Sequence, residues 1–162
     1  GPFPEQVSTT RYGKLNLSGM ITDLTQVPER NEMIVDRIRT IEPSRNVLVL
    51  TDRRDHAMYL LSRIGETDGG LYIGGADLDA GAQKRIIFAT FALAQEGLDI
   101  PKLDTVILAT PKSDVKQAVG RILRGKTQNC PIVYDVIDTW SVFYAMSRKR
   151  RVIYEQLSFN CE

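Results

Sequence analysis

The sequence predicts a three-layer α/β domain, a mostly parallel sheet with helices on both faces, and three observations predict it. About five short runs are apolar throughout and rich in β-branched residues, the pattern of strands buried on both faces. These runs alternate with segments whose apolar residues recur at helical spacing, the grammar of strand–helix crossovers. Finally, 162 residues with 43% hydrophobic and 25% charged side chains suit a single core.

Taken in order, residues 1–19 are polar, with Pro, Gly, Ser and Thr scattered from Phe3 to about Gly19. They read as an extended lead-in to a domain spanning 20–162. Residues 30 to 41 place Met33, Ile34, Ile38 and Ile41 at helical spacing, and Pro43 stops that helix. VLVLT (47–51) is a buried strand, followed by polar DRRD and a helix over HAMYLLSRI, in which His56 reads as a surface residue. LYIGG (71–75) is a short strand broken by glycines. IIFAT (86–90) is a buried strand leading into a loop at FALAQEGLDIP. Strands over 105–109 and IVYDVI (132–137) complete the set, and residues 140–157 form a final amphipathic helix. In its basic run Arg148, Lys149, Arg150 and Arg151 read as a solvated helix face in preference to a phosphate-tracking patch. There is no internal repeat or low-complexity tract.

Composition narrows the functions. With 21 basic and 20 acidic side chains the net charge is +1, so contact with nucleic acid must come from local patches. Cys130 and Cys161 lack metal-ligand spacing and there is one histidine, which argues against a zinc or haem site and for reduced thiols inside a cell. No apolar run reaches the ~18 residues that would span a bilayer, so no membrane partner is expected. The opening Gly1-Pro2 pair resembles the remnant of tag cleavage, and the chain is then expected to be an excised part of a longer protein.

GRILRGKT (120–127) fits the phosphate-loop pattern G-x-x-x-x-G-K-[ST], which requires a preceding buried strand and a following helix. The flanks run the other way. Ser113 reads as an N-cap, and Val115, Ala118, Val119, Ile122 and Leu123 then form one buried helical stripe that contains Gly120. Gly125 follows the last periodic residue as a helix stop, and a strand comes next. The order helix, stop, strand makes the match a coincidence. On the opposite face Gln117, Arg121 and Arg124 fall in line at i, i+4 and i+7. Two guanidiniums on a rigid helix suit a phosphate shared with another surface; an ordinary solvated face is an equal reading on periodicity alone.

QAVGRILR (117–124) resembles motif VI of the superfamily 2 helicases, Q-x-x-G-R-x-x-R, and ATFALAQEGLDIP (89–101) resembles their motif V. VLVLTDR (47–53) resembles motif IV. The likeness covers about residues 30 to 157 and is nearest to the XPB-like and phage or large-DNA-virus helicases. It implies the second, C-terminal RecA-like lobe of an ATP-dependent helicase or translocase, whose first lobe carries the Walker motifs and holds ATP and Mg2+. It implies arginine fingers at Arg121 and Arg124, with Gln117 orienting the motif at the cleft. Gly97 and Asp99 are implied to approach the γ-phosphate and ribose, Thr90 a nucleic-acid phosphate, and Thr51 and Arg53 the nucleic-acid backbone. Many members carry a further arginine where this chain has Ala118. The implied partners are nucleic acid, with DNA favoured over RNA, and the N-terminal lobe of the same protein; the implied location is intracellular, in host cytoplasm or nucleus if viral. Independently, ligands of open α/β sheets gather at the carboxyl ends of strands, where Thr51, Thr90 and the loop through Asp99 fall. Two other readings stand beside this one: an autonomous NTPase or kinase using Gly120 to Thr127, and a non-catalytic nucleic-acid adaptor of the same fold.

Overall fold

The computed structural model describes residues 15–122 and 129–159, together with Glu5 and Thr9, apart from the side chains at positions 121, 122 and 141. The elements run α1 (Leu17–Thr25), α2 (Pro28–Thr40), β1 (Val47–Thr51), α3 (Arg54–Ile64), β2 (Gly69–Tyr72), α4 (Leu78–Ala82), β3 (Ile86–Thr90), α5 (Phe91–Gln95), β4 (Thr105–Leu108), α6 (Lys116–Ile122), β5 (Ile132–Asp135) and α7 (Ser141–Gln156). The five strands form one parallel sheet in the order β2-β3-β1-β4-β5.

β1 is central, and all five of its residues are buried because both faces of the sheet are covered. Its side chains alternate between two cores. Leu48 and Leu50 point with Ile87, Ala89, Val106 and Leu108 toward Phe91, Leu98, Val115, Val119 and Tyr154, the side of α5, α6 and α7. Val47 and Val49 point with Ile86, Phe88 and Ile107 toward Ile34, Val35, Ile38, Ala57 and Leu60 of α2 and α3. At the carboxyl edge the register sets Thr51 beside Thr90, and Leu50 beside Leu108. The alignment of that edge is therefore fixed by strand pairing.

Several elements differ from the sequence reading for identifiable reasons. α1 begins inside the expected lead-in. Asn16 caps it by accepting from the Gly19 amide at 3.1 Å, and Met20, Ile21 and Leu24 pack on Trp140 and Phe143 in a third cluster. β2 starts at Gly69 and ends at Tyr72, so its glycines lie within the strand. A Cβ on Gly81 of α4 would meet the Leu71 carbonyl oxygen at 1.9 Å, and one on Gly70 would meet the Gly81 Cα at 2.9 Å. The backbones of α4 and β2 touch there, which only glycine permits. β5 stops at Asp135, two residues short of expectation, and as an edge strand it is only half-buried. The expected loop after β3 opens with the short helix α5.

Candidate functional site

The loops after β1 and β3, together with the segment after β4, stand at the carboxyl edge, and each carries residues singled out above. Thr90 is 7% exposed and its hydroxyl accepts from the Leu93 amide at 3.4 Å, capping α5. Thr51 is wholly buried, with its hydroxyl 2.7 Å from His56 Nδ1. His56 is therefore not the surface residue expected; it is 3% exposed. The misreading has a plain cause: positions 56, 57, 60 and 61 form the inward stripe of α3, and an ionisable residue on that stripe must be buried neutral or paired.

The hydrogen bonds fix its tautomer. The Asn31 amide nitrogen donates to the Thr25 carbonyl at 2.8 Å, so its oxygen faces His56 Nε2 at 2.8 Å and accepts from it. With the proton on Nε2, Nδ1 accepts from the Thr51 hydroxyl. A buried relay thus joins the end of β1 to the start of α2. Burial, and then the charge of Arg30, lower the His56 pKa to about 3. Its folded pKa lies below the unfolded value near 6.5, so this contribution is fully present above pH 6.5 and is lost as the pH falls toward 3. Between pH 6.5 and 5 the expected loss is roughly 2 kcal/mol. Urea midpoints at pH 7 and pH 5 check this: His56→Gln should lose distinctly less than the wild type, and an equal loss in both removes histidine as the cause.

Arg53 donates to Asp52 at 2.6 Å and to the carbonyl and hydroxyl oxygens of Ser18 at 2.8 and 2.9 Å, tying the β1 loop to α1. Gly97 is exposed with φ at 118°, a conformation that favours glycine, and Asp99 is exposed two residues on. At the start of α6 and within it, Val115, Ala118 and Val119 are buried and Gln117 is exposed, the division of faces read from periodicity. Next to Ser113, expected as the cap, the Asp114 carboxylate accepts from the Lys116 amide at 3.2 Å. Arg121 belongs to α6 by its backbone; its side chain, Arg124, Gly125 and Lys126 lie outside the described residues. Gly120 is helical, and among the described residues the next strand is β5.

No protein-family model matches the chain. Over 160 residues, 92% of this chain, it is 38% identical to the L396 protein of Acanthamoeba polyphaga mimivirus, which is named as an ATP-dependent RNA helicase. The fold aligns with T4 UvsW at a TM-score of 0.67 and 20% identity, over 87% of this chain and 35% of that one. It aligns with the C-terminal domain of the DEAD-box protein Dbp5 at 0.59 and 12% identity, over 84% of this chain and 83% of that one. The chain folds as a RecA-like lobe and is related in sequence to viral helicases. It spans 31% of the length of the mimivirus relative.

In this RecA-like lobe a second set of buried polar side chains stands behind the edge, and the sequence reading missed it. Arg150, expected in a solvated face, is 1% exposed. Its Nε and Nη2 donate to the two oxygens of Asp135 at 2.8 Å each, and its Nη1 donates to the Lys112 carbonyl at 2.8 Å. Tyr154 donates to the same carboxylate at 2.7 Å, and burial together with that carboxylate holds its hydroxyl far above the ordinary phenol pKa. Arg148, Lys149 and Arg151 remain exposed, as expected of them. A signal for Arg150 was available: Asp135 interrupts an apolar strand, and a carboxylate there needs a cation. Arg30 of α2, wholly buried, makes the matching pair with Asp138. Among the described residues no group of His, Cys, Asp and Glu could hold a metal ion, and no helix is long and apolar enough to cross a membrane.

Proposed function

We propose that this lobe is the second half of an ATP-dependent helicase or translocase, with residues 20–162 as the domain. ATP and Mg2+ are held mainly by the N-terminal lobe. Arg121 and Arg124 reach across the interlobe cleft to the γ-phosphate, where planar guanidiniums stabilise the charge of the transferring phosphoryl group. Gln117 orients that motif, and Gly97 and Asp99 approach the phosphate and ribose. Arg53 and Thr90 serve the nucleic-acid backbone, whereas Thr51, wholly buried and bonded to His56, supports the loop from behind instead of making the contact expected of it. Closing and opening of the cleft then moves two gripping surfaces along a strand, which requires little sequence preference.

The observation that carries this reading is the division of α6, with Val115, Ala118 and Val119 in the core and Gln117 in solvent, because Arg121 follows Gln117 by four residues on the same helix. The motif likeness implies DNA, whereas the mimivirus relative is named for RNA; competition between DNA and RNA of one sequence for the full-length protein separates them.

The test compares two proteins. The full-length protein should hydrolyse ATP with stimulation by nucleic acid, and this chain alone should release no phosphate above a buffer blank. Release by this chain that disappears in Lys126→Ala would instead restore the autonomous NTPase.

A further inference from the structure

The segment from Ala109 to Val115, which leads from β4 into α6, is gripped by two arginines in the same way from two sides. Arg30 of α2 spends Nε and Nη2 on Asp138 at 2.8 Å each, and its Nη1 donates to the Ala109 carbonyl at 2.6 Å. Arg150 of α7 spends the same two nitrogens on Asp135 and donates through Nη1 to the Lys112 carbonyl at 2.8 Å. Both carboxylates belong to β5 or the few residues after it, so both guanidiniums are aimed from one strand. Bidentate pairing fixes the plane of each fork, which fixes where the remaining N–H points.

The same segment touches the other loops of the edge. The Thr110 hydroxyl accepts from the Asp52 amide at 2.9 Å, beside Arg53, and the Lys112 ammonium lies 5.4 Å from the centre of the Phe91 ring, next to Thr90. The Asp114 carboxylate then accepts from the first amide of α6. The segment continues directly into the helix that carries Gln117 and Arg121.

We infer that Arg30 and Arg150 are positioning residues for ATP turnover: paired to Asp138 and Asp135, they hold two carbonyls of the β4–α6 segment and so set the placement of α6 at the cleft. This rests on the proposed role of Arg121. Neither arginine touches nucleotide in this scheme. The effect is on placement, and placement errors of about 1 Å can cost ~10²-fold in rate.

Removing one member of a buried pair threatens folding, so the main variant removes the whole group. The triple substitution Arg150→Met, Asp135→Leu, Tyr154→Phe replaces the network with apolar side chains of similar volume, a kind of exchange that is often neutral for stability. In the full-length protein this variant should keep KM for ATP and nucleic-acid binding while kcat falls by about 10-fold or more. The amides of α6 should exchange hydrogen ~10-fold faster or more, and those of β1 at the wild-type rate. Arg150→Lys keeps the charge and loses the fork, and it should shift both readouts in the same direction; it decides the matter if the triple variant does not fold. Wild-type kcat with wild-type protection of α6 in the folded variant overturns the inference. Arg121→Ala, measured alongside, keeps the two ideas apart. If it loses turnover while the network variants do not, only the positioning role fails; if it turns over normally, the proposed function fails first.

Discussion

Replacing Arg121 or Arg124 by alanine in the full-length protein is expected to lower ATP turnover by ~10²-fold or more, the low end of what arginine fingers contribute. Nucleic-acid binding should persist, and each variant should melt within a few degrees of wild type. The reason is the geometry of α6. Val115, Ala118 and Val119 are buried and Gln117 is exposed, so the line that continues from Gln117 at helical spacing is expected to face away from the core, where charge can be removed without opening a cavity. Arg→Lys should fail like alanine, because a point charge does not reproduce a planar fork at a phosphoryl group. Steady-state phosphate release with saturating nucleic acid is the measurement. Normal turnover in both alanine variants rejects the finger assignment, and loss of folding in either assigns that arginine to the structure instead.

Strands buried on both faces were the most legible part of the fold. β1 and β3 match the runs VLVLT and IIFAT residue for residue, since burial on two sides leaves no polar position to blur the ends. β2 was misplaced because its signal is a lack of side chains: Gly69 and Gly70 pack where α3 and α4 leave no room, and glycine in a sequence reads as a turn. α1 went unseen although Leu17, Met20, Ile21 and Leu24 fall at helical spacing, because its start lies among the polar and glycine residues read as a lead-in and its partners Trp140 and Phe143 lie more than a hundred residues away. The same limit governs the site. The loops at the carboxyl edge could be read from motif likeness and from the general placement of ligands in α/β sheets. Of the buried polar groups behind them Arg150 left a signal in Asp135, but Arg30 left none, because charge in a sequence reads as surface and its partner is distant: Asp138 is 108 positions from Arg30.

Arg30→Leu should be the most damaging single substitution for stability among the residues discussed, costing about 3–5 kcal/mol. Arg30 is wholly buried and Asp138 is 2% exposed, so the truncation strands a carboxylate in the core and leaves the Ala109 carbonyl without the Arg30 donor. Against the 5–15 kcal/mol typical of a whole domain this is a large fraction, worth roughly 10 °C in Tm at this size. Much of that cost is the unpaired charge and not the lost attraction. The double variant Arg30→Leu with Asp138→Leu should therefore recover most of the stability, since an apolar pair needs no desolvation of ions. His56 adds an independent sign of the same event. Part of what holds it neutral is the charge of Arg30, so removing that charge should raise its pKa and reduce the loss of stability in acid. Urea titrations of the chain and its two variants at pH 7 and pH 5 read all of this at once. A single variant as stable as wild type means the pair contributes nothing net, and a double variant no better than the single means the guanidinium's grip on Ala109, rather than the balance of charge, is what the fold needs.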